Sequence, residues 1–442
     1  MSAVQIDDTH EAARKSWVGS ANGHDDFPIQ NLPFGVFSPG EDPPRAGVAI
    51  GDKIFDLQAA GTKGLFKGIA PDAVSAMQGG TLNFLLALGS PARRAVRSRL
   101  VSLLDADSGE RSQVERMASD LLHDATACMM HLPVAVGNYT DFYAGINHAT
   151  NVGRILRPDN PLLPNYKHVP IAYHGRASSV RVSGTEVLRP RGQTKDASAS
   201  EPRFGPSRRL DIELELGFWI GPGNALGHPI PIDEAASHIA GFCLLNDWSA
   251  RDIQAWEYQP LGPFLAKNLM TSVSPWIVTP EALAPFRTSV LARSPGDPVP
   301  LPYLVDEADK AAGALDLTFE ISFTSELMRA KGVKPKVLSR VNAKSLYWTV
   351  GQMVAHHTSG GCNLMPGDLL GTGTISGATP DALGSFLEMT QGGRNAIQLE
   401  TDEERRFLED NDEVTLRASA HHPDFVSIGF GECKGRIVSL PP

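Results

Sequence analysis

Leu210-Asp211-Ile212-Glu213-Leu214-Glu215-Leu216-Gly217-Phe218-Trp219-Ile220 alternates acids with aliphatic residues and then turns apolar. Side chains of a strand point alternately to its two faces. Residues 210–220 therefore predict a strand with Asp211, Glu213 and Glu215 on one side and Ile212, Leu214 and Leu216 on the other. Three like charges two positions apart repel one another. They are tolerable together if that face meets water, as in many antiparallel sheets, or if something positive lies against it. Downstream, Ile239-Ala240-Gly241-Phe242-Cys243-Leu244-Leu245 reads as a buried strand that ends in Asn246-Asp247-Trp248. A carboxylate there is costly to desolvate unless it is paired or bound to a cation. Arg251, Gln254, Tyr258 and Lys267 follow among apolar residues. The stretch predicts a divalent-metal site with cationic neighbours.

The rest of the composition fits that picture. A chain of 442 residues has room for two or more cores. Hydrophobic residues make up 42% and charged residues 20%, ordinary for a globular protein. With 42 Gly and 33 Pro the chain is rich in turns and short elements, which predicts an α+β, mostly β architecture. A net charge of -10 argues against nucleic acid or an anionic membrane as partner. The first residues lack the basic start and apolar core of a secretory signal, and no apolar stretch reaches membrane-spanning length. Cys128, Cys243, Cys362 and Cys433 are far apart with no CxxC, which argues against a zinc knuckle and suits a cytoplasmic location. GxSxG, HExxH, P-loop and EF-hand patterns are absent from the sequence.

Taken in order, residues 1–30 are polar and expected to be loosely ordered. Short strands are expected at 34–37, 45–50 and 53–57, with Gly51-Asp52 turning the second into the third. Residues 82–130 are helical in pattern, so 1–130 reads as a small α+β module. From His131 onward strands dominate: 169–173, 179–188, 210–220, 239–246, 275–279, 315–324, 367–370, 384–391 and 413–418. Helices are expected at 232–239 and 342–357, and loops at 191–206 and 293–302.

Residues 138–157 hold further candidates. Asp141 is either a fourth carboxylate for the metal or a turn residue. His148 is either a general base or a structural histidine. Arg157 could grip a carboxylate through its planar fork or form a surface salt bridge. These lie in Asp141-Phe142-Tyr143, His148-Ala149-Thr150-Asn151-Val152-Gly153 and Arg157-Pro158. With them stand Tyr173-His174-Gly175-Arg176-Ala177-Ser178-Ser179, Asn246-Asp247-Trp248-Ser249-Ala250-Arg251-Asp252-Ile253-Gln254, Trp256-Glu257-Tyr258, Leu261-Gly262-Pro263-Phe264-Leu265-Ala266-Lys267 and Gly373-Thr374-Ile375-Ser376-Gly377. Together these motifs resemble the fumarylacetoacetase family over roughly residues 131–285 and 340–435. Similarity is weaker in the first region and over 286–340.

The resemblance implies a small SH3-like domain over 1–130, a β-rich rolled-sheet catalytic domain over 131–442, and a homodimer. It implies hydrolysis of the carbon–carbon bond of a small diketo acid, 4-fumarylacetoacetate, at the end of tyrosine and phenylalanine breakdown. Carried across, Asp141, Glu213, Glu215 and Asp247 would ligate Ca²⁺ or Mg²⁺, with Lys267 and Thr271 near a secondary Mg²⁺ position. Tyr143, Arg157, Gln254, Tyr258 and Thr374 would bind substrate. His148 and Glu388 would activate water, with Glu388 expected on the strand at 384–391. Arg251, Gln254 and Lys267 would surround the leaving carbanion. Asn268-Leu269-Met270 departs from the family pattern, which has a glycine before Thr271. Two other readings stay open. One is a related metal-dependent enzyme such as an acylpyruvate hydrolase or a decarboxylase. The other is a Ca²⁺-stabilised binding module without catalysis, in which His148 and Glu388 would be dispensable.

Overall fold

Phe34–Pro39 (β1), Arg45–Ile50 (β2) and Lys53–Asp56 (β3) open an antiparallel sheet in the computed structural model, which describes residues 5–196 and 198–439. Gly51 joins β2 to β3 with φ +56°, a conformation that costs a residue without Cβ little. The helical expectation for 82–130 holds through Gly89–Leu104 (α1), whose Leu100, Leu103 and Leu104 are buried. After Leu121 the chain instead supplies the two outer strands, Leu122–Asp124 (β4) and Cys128–His131 (β5). The strand order is β4-β3-β2-β1-β5. The described part of residues 1–30 is not loosely ordered. Val18, Ala21 and Ile29 are buried, and His10 Nε2 lies 2.8 Å from the Glu281 carbonyl oxygen. Just past this stretch, Asn31 Nδ2 donates to the Gly429 carbonyl at 2.8 Å. These polar groups find their partners far along the chain, which local polarity cannot reveal.

A seven-stranded sheet carries the second region. Its members are Tyr139–Phe142 (β6), Ala172–Gly175 (β7), Val180–Val182 (β8), Leu214–Ile220 (β10), Ile239–Asp247 (β11), Thr271–Val273 (β12) and Leu369–Gly371 (β15). They run in the order β7-β6-β15-β10-β11-β12-β8. A five-stranded sheet packs behind it, built from Val187–Leu188 (β9), Leu317–Thr324 (β13), Lys336–Asn342 (β14), Glu413–His422 (β16) and Phe425–Val438 (β17).

The two faces of β10 go to different cores. Leu214, Leu216, Phe218 and Ile220 join the large core shared with the second sheet. Trp219, with Cys243 and Leu245 of β11, joins the core of the N-terminal module. The first region therefore covers the sheet face that also carries Glu215 and Asp247, two and more positions along the same strands.

The strand expectations at 239–246, 315–324, 367–370 and 413–418 match observed strands to within a few residues. Others differ from what is observed. Residues 191–206 form a hairpin of Arg191–Thr194 with Arg203–Pro206 rather than a loop. In 275–279 only isolated bridges occur, Ile277 to Phe34 and Val278 to Phe242. Residues 384–391 hold a short helix, Phe386–Met389 (α4), not a strand. The helix at 342–357 begins later, at Val350. Ile146–Leu156 (α2), β14 and the 14-residue β17 carry no expectation from the sequence.

Candidate active site

The alternation that opens the sequence is broken in the chain. Asp211 pairs with Ser249 in a two-residue ladder, and the regular strand resumes only at Leu214. All three acids are buried, so the water-facing option for them fails. Asp211 accepts the backbone N–H groups of Phe386 and Leu387 at 2.7 and 3.0 Å and Arg251 Nε at 2.8 Å. It turns away from the other two acids.

Glu213 and Glu215 meet Asp141 and Asp247, with one oxygen from each of the four within 4.8 Å of the others. The sheet register explains how. Asp141 on β6 stands opposite Gly371 on β15, which stands opposite Gly217 on β10. Gly371 leaves the space over which the carboxylates approach: a Cβ there would lie 2.7 Å from both Asp141 Oδ1 and Glu215 Oε2. Asp247 closes the group from the end of β11, paired with Thr271 on β12.

The charges around this group are uneven. Lys267 Nζ bonds Glu213 and, at 2.8 Å, Asp247 Oδ2. Arg251 Nη2 reaches Glu213 Oε1 at 2.8 Å. Burial alone would raise the Glu213 carboxyl, but Lys267, Arg251 and His148 overcome it and hold it at about 2. The same pairs raise the Lys267 ammonium and the Arg251 guanidinium above their ordinary values despite burial. Among the described residues Asp141 and Glu215 form no such ion pair, and only Asp141 is near enough to Lys267 for its charge to oppose the rise. Burial, and then the neighbouring carboxylates, push both well above the usual range.

Asp141 Oδ1 and Glu215 Oε1 are buried without a hydrogen-bond partner among the described residues. Orphaned buried oxygens are rare and call for a missing partner. Four carboxylates with no thiol or imidazole among the donors fit a hard dication such as Ca²⁺ or Mg²⁺. Tyr173 and Thr271 hydroxyls donate to Asp247 at 2.7 and 3.2 Å and hold it in place. The 268–270 departure from the family pattern thus leaves Thr271 at the site. A protonated Lys267 has no lone pair for a cation and stands beside the group as counter-charge.

His148 lies on the first turn of α2, 1% exposed. Its Nδ1 is 2.6 Å from Glu388 Oε2, and its Nε2 is 3.8 Å from Glu213 Oε1. Glu388 sits in the first turn of α4, capped by Ser385, and not on the expected strand. Burial would raise its carboxyl, but the His148 imidazole and hydrogen bonds from His148, Asn151 and Ser385 hold it below the usual range.

Tyr143 follows β6 and packs edge-on against the His148 ring, centroids 5.5 Å apart. Burial and the charges of Glu213 and Glu388 push its phenol up, with Arg251 and Arg157 opposing. Arg157 ends α2 half-buried, and its Nε has no partner among the described residues. Gln254 accepts Arg251 Nη1 at 3.1 Å from the helix Arg251–Glu257 (α3), and Tyr258 follows that helix, half-buried. Thr374 is 1% exposed, and its Oγ1 has no partner among the described residues. The structure thus gathers the four acids, Lys267, Arg251, Gln254, Thr271, His148, Glu388 and Tyr143 into one region.

Residues 30–133 match the family model described as Fumarylacetoacetase N-terminal. Residues 138–438 match the one described as Fumarylacetoacetate (FAA) hydrolase C-terminal, which alone spans more than half of the chain. The chain belongs to the fumarylacetoacetase family. It is 46% identical over 418 residues to the fumarylacetoacetase of Arabidopsis thaliana, covering 94% of this chain and 96% of that one. Similarity to the fumarylacetoacetases of Rattus norvegicus and Homo sapiens is 45% over 416 and 417 residues, in each case 93% of this chain and 96% of the relative.

Several groups at the site escape sequence reasoning even where the family motifs contain them. Tyr173, Asn151 and Ser376 lie inside quoted motifs, but their contacts join residues 74, 237 and 12 positions apart. Ser385 does leave a local signal: Ser385-Phe386-Leu387-Glu388 has the S-x-x-E spacing that starts a helix.

Proposed function

We propose that this protein hydrolyses the carbon–carbon bond of 4-fumarylacetoacetate to fumarate and acetoacetate, the last step of tyrosine and phenylalanine breakdown. Family membership supports the substrate. The observation that carries the chemistry is the four-carboxylate group with the Nε2 of His148 beside it, 3.8 Å from Glu213 Oε1. Asp141, Glu213, Glu215 and Asp247 would hold the cation, Ca²⁺ or Mg²⁺. When bound, it would supply positive charge that stabilises the carbonyl oxygen of the acetoacetyl half as it becomes an enolate oxygen and the bond breaks.

The chain's own residues account for the remaining steps. Nδ1 of His148 is occupied by Glu388, so the ring accepts a proton from water at Nε2. The resulting hydroxide adds to the carbonyl carbon on the fumaryl side. The carbon–carbon bond then breaks, its electron pair goes to the acetoacetyl carbon, and a proton returns there. Glu388 faces the imidazolium formed in between and stabilises it. Lys267, Arg251 and Gln254 border the leaving half. Arg157 and Tyr143 take the terminal carboxylate of the fumaryl half, a task suited to a planar guanidinium. Tyr258 and Thr374 complete the substrate wall.

Residues 1–130 form the small N-terminal unit in this reading and 131–442 the catalytic unit, supported by the first sheet, whose last strand β5 ends at this boundary, on His131. A homodimer is part of the same proposal. Apolar side chains exposed around α3, among them Trp256, Leu261 and Phe264, offer surface for it. No helix among the described residues is long and apolar enough to cross a membrane. The test is turnover of fumarylacetoacetate by the purified protein, followed as loss of diketone absorbance with one fumarate and one acetoacetate formed per substrate lost. Faster cleavage of an acylpyruvate, or no cleavage at all, would overturn the assignment.

A further inference from the structure

Glu388 is held by more than His148. Its Oε2 also accepts Ser376 Oγ at 2.9 Å and Ser385 Oγ at 2.8 Å, and its Oε1 accepts Asn151 Nδ2 at 2.9 Å. These groups come from separate segments. Asn151 is three positions beyond His148 on α2, so both side chains lie on one face of that helix. Ser376 lies beyond β15 in the chain, and Ser385 caps α4. Each hydroxyl also accepts one backbone N–H, Ser376 Oγ from Gly384 at 2.9 Å and Ser385 Oγ from Glu388 at 3.3 Å, while an ionised carboxylate can only accept. Each hydroxyl proton is therefore directed at the carboxylate. The Glu388 side chain is fully buried, where a carboxylate persists only if its lone pairs are met.

We infer that Asn151, Ser376 and Ser385 are positioning residues that fix the rotation of the Glu388 carboxylate, so that Oε2 faces Nδ1 of His148 and Nε2 faces the water to be activated. This rests on the reading of His148 as the base. Asn151 is the discriminating member. It is half-buried and alone holds Oε1 among the described side chains, so its loss frees the carboxylate to rotate without emptying a core. The two serines, wholly buried, pin the other oxygen.

The experiment compares kcat, KM, cation binding by calorimetry and melting for Asn151→Asp, Ser376→Ala, Ser385→Ala and Ser385→Thr. Asn151→Asp keeps the shape but sets a second carboxylate against Glu388. Loss of one charge-assisted hydrogen bond should lower kcat about tenfold to a hundredfold, with KM and cation affinity unchanged. Ser385→Thr retains the hydroxyl and the helix cap and should keep kcat near that of the parent. In a Glu388→Gln background, Asn151→Asp should cause no further loss, because it acts through Glu388. A purely structural role would lower the melting point and leave kcat unchanged in the folded fraction, which overturns the inference. So would an effect confined to KM, or further loss in the Glu388→Gln background. His148→Ala separates the two levels. If it keeps full kcat, the reading of His148 falls and this inference with it. If it is inactive while Asn151→Asp and Ser376→Ala are unaffected, the inference alone falls.

Discussion

Replacing Lys267 by Met removes the ammonium between Glu213 and Asp247 while keeping a long apolar stem in its place. The lysine side chain is 5% exposed, and its partners are 7% and 0% exposed. It makes one hydrogen bond to each carboxylate, and bonds between charged groups contribute about 1.5–3 kcal/mol apiece. Removing one partner of a buried pair costs about 3–5 kcal/mol, because the other is left uncompensated. Two carboxylates are abandoned here, and Arg251 rescues only Glu213. We therefore expect Lys267→Met to be about 3–5 kcal/mol less stable than the parent in urea melts with chelator present. Calcium should narrow the deficit, because the dication supplies positive charge to the same oxygens. The variant should also bind calcium more tightly in titration calorimetry, one competing positive charge having gone. Activity should be lost regardless, because in the proposed mechanism the Lys267 ammonium borders the leaving half. A deficit below about 1 kcal/mol, the size expected for a solvent-exposed pair, would refute the buried ion pairs. A deficit that calcium leaves unchanged would refute the shared site.

Arg157→Lys should raise KM for fumarylacetoacetate with a smaller effect on kcat, because a single ammonium cannot reproduce the bidentate fork; kinetics like those of the parent would make Arg157 structural. Gly371→Ala places a methyl 2.7 Å from both Asp141 Oδ1 and Glu215 Oε2. It should weaken cation binding in calorimetry, and an unchanged affinity would count against the carboxylates meeting over that residue. Stability of the metal-free protein should fall as pH rises from about 4. Asp141 and Glu215 keep protons in the folded state above their unfolded values, so their contribution is full below those values and lost as pH climbs through the raised ones. Glu213 works in the opposite sense: its contribution is present above its unfolded value and lost only as pH falls toward about 2. Melting curves across pH in chelator should show the first trend, and saturating calcium should flatten it.

The strands that build the site were legible because their patterns are strong. β10 and β11 are an alternation and an apolar run, and both appear nearly where expected. What failed was local pattern applied to elements too short or too interrupted to carry one. A four-residue helix completes barely one turn, so α4 looked like alternation, and only its capping spacing told otherwise. β17 is broken in sequence by Gly429, Gly431 and Gly435, which obscure the alternation of a long strand. α2 contains Asn, Thr, His and Gly, poor helix formers, and is held by packing of Ala149 and Val152. Burial cost pointed to Asp247 and the alternation to Glu213 and Glu215 along with Asp211, but the set of four, with Asp141 included and Asp211 left out, came through family resemblance. The meeting of His148 with Glu388, 240 positions away, was accessible only through family resemblance, since spacing carries no information over such a distance.

In the proposed function the four buried carboxylates hold a dication without which the carbon–carbon bond is not cleaved. The most direct measurement is the rate of loss of fumarylacetoacetate absorbance by enzyme stripped with chelator, with residual metal checked by elemental analysis, before and after adding back Ca²⁺ or Mg²⁺. The stripped enzyme should show no turnover, and either ion should restore it. Full turnover by protein shown to be free of metal would contradict this requirement for the dication.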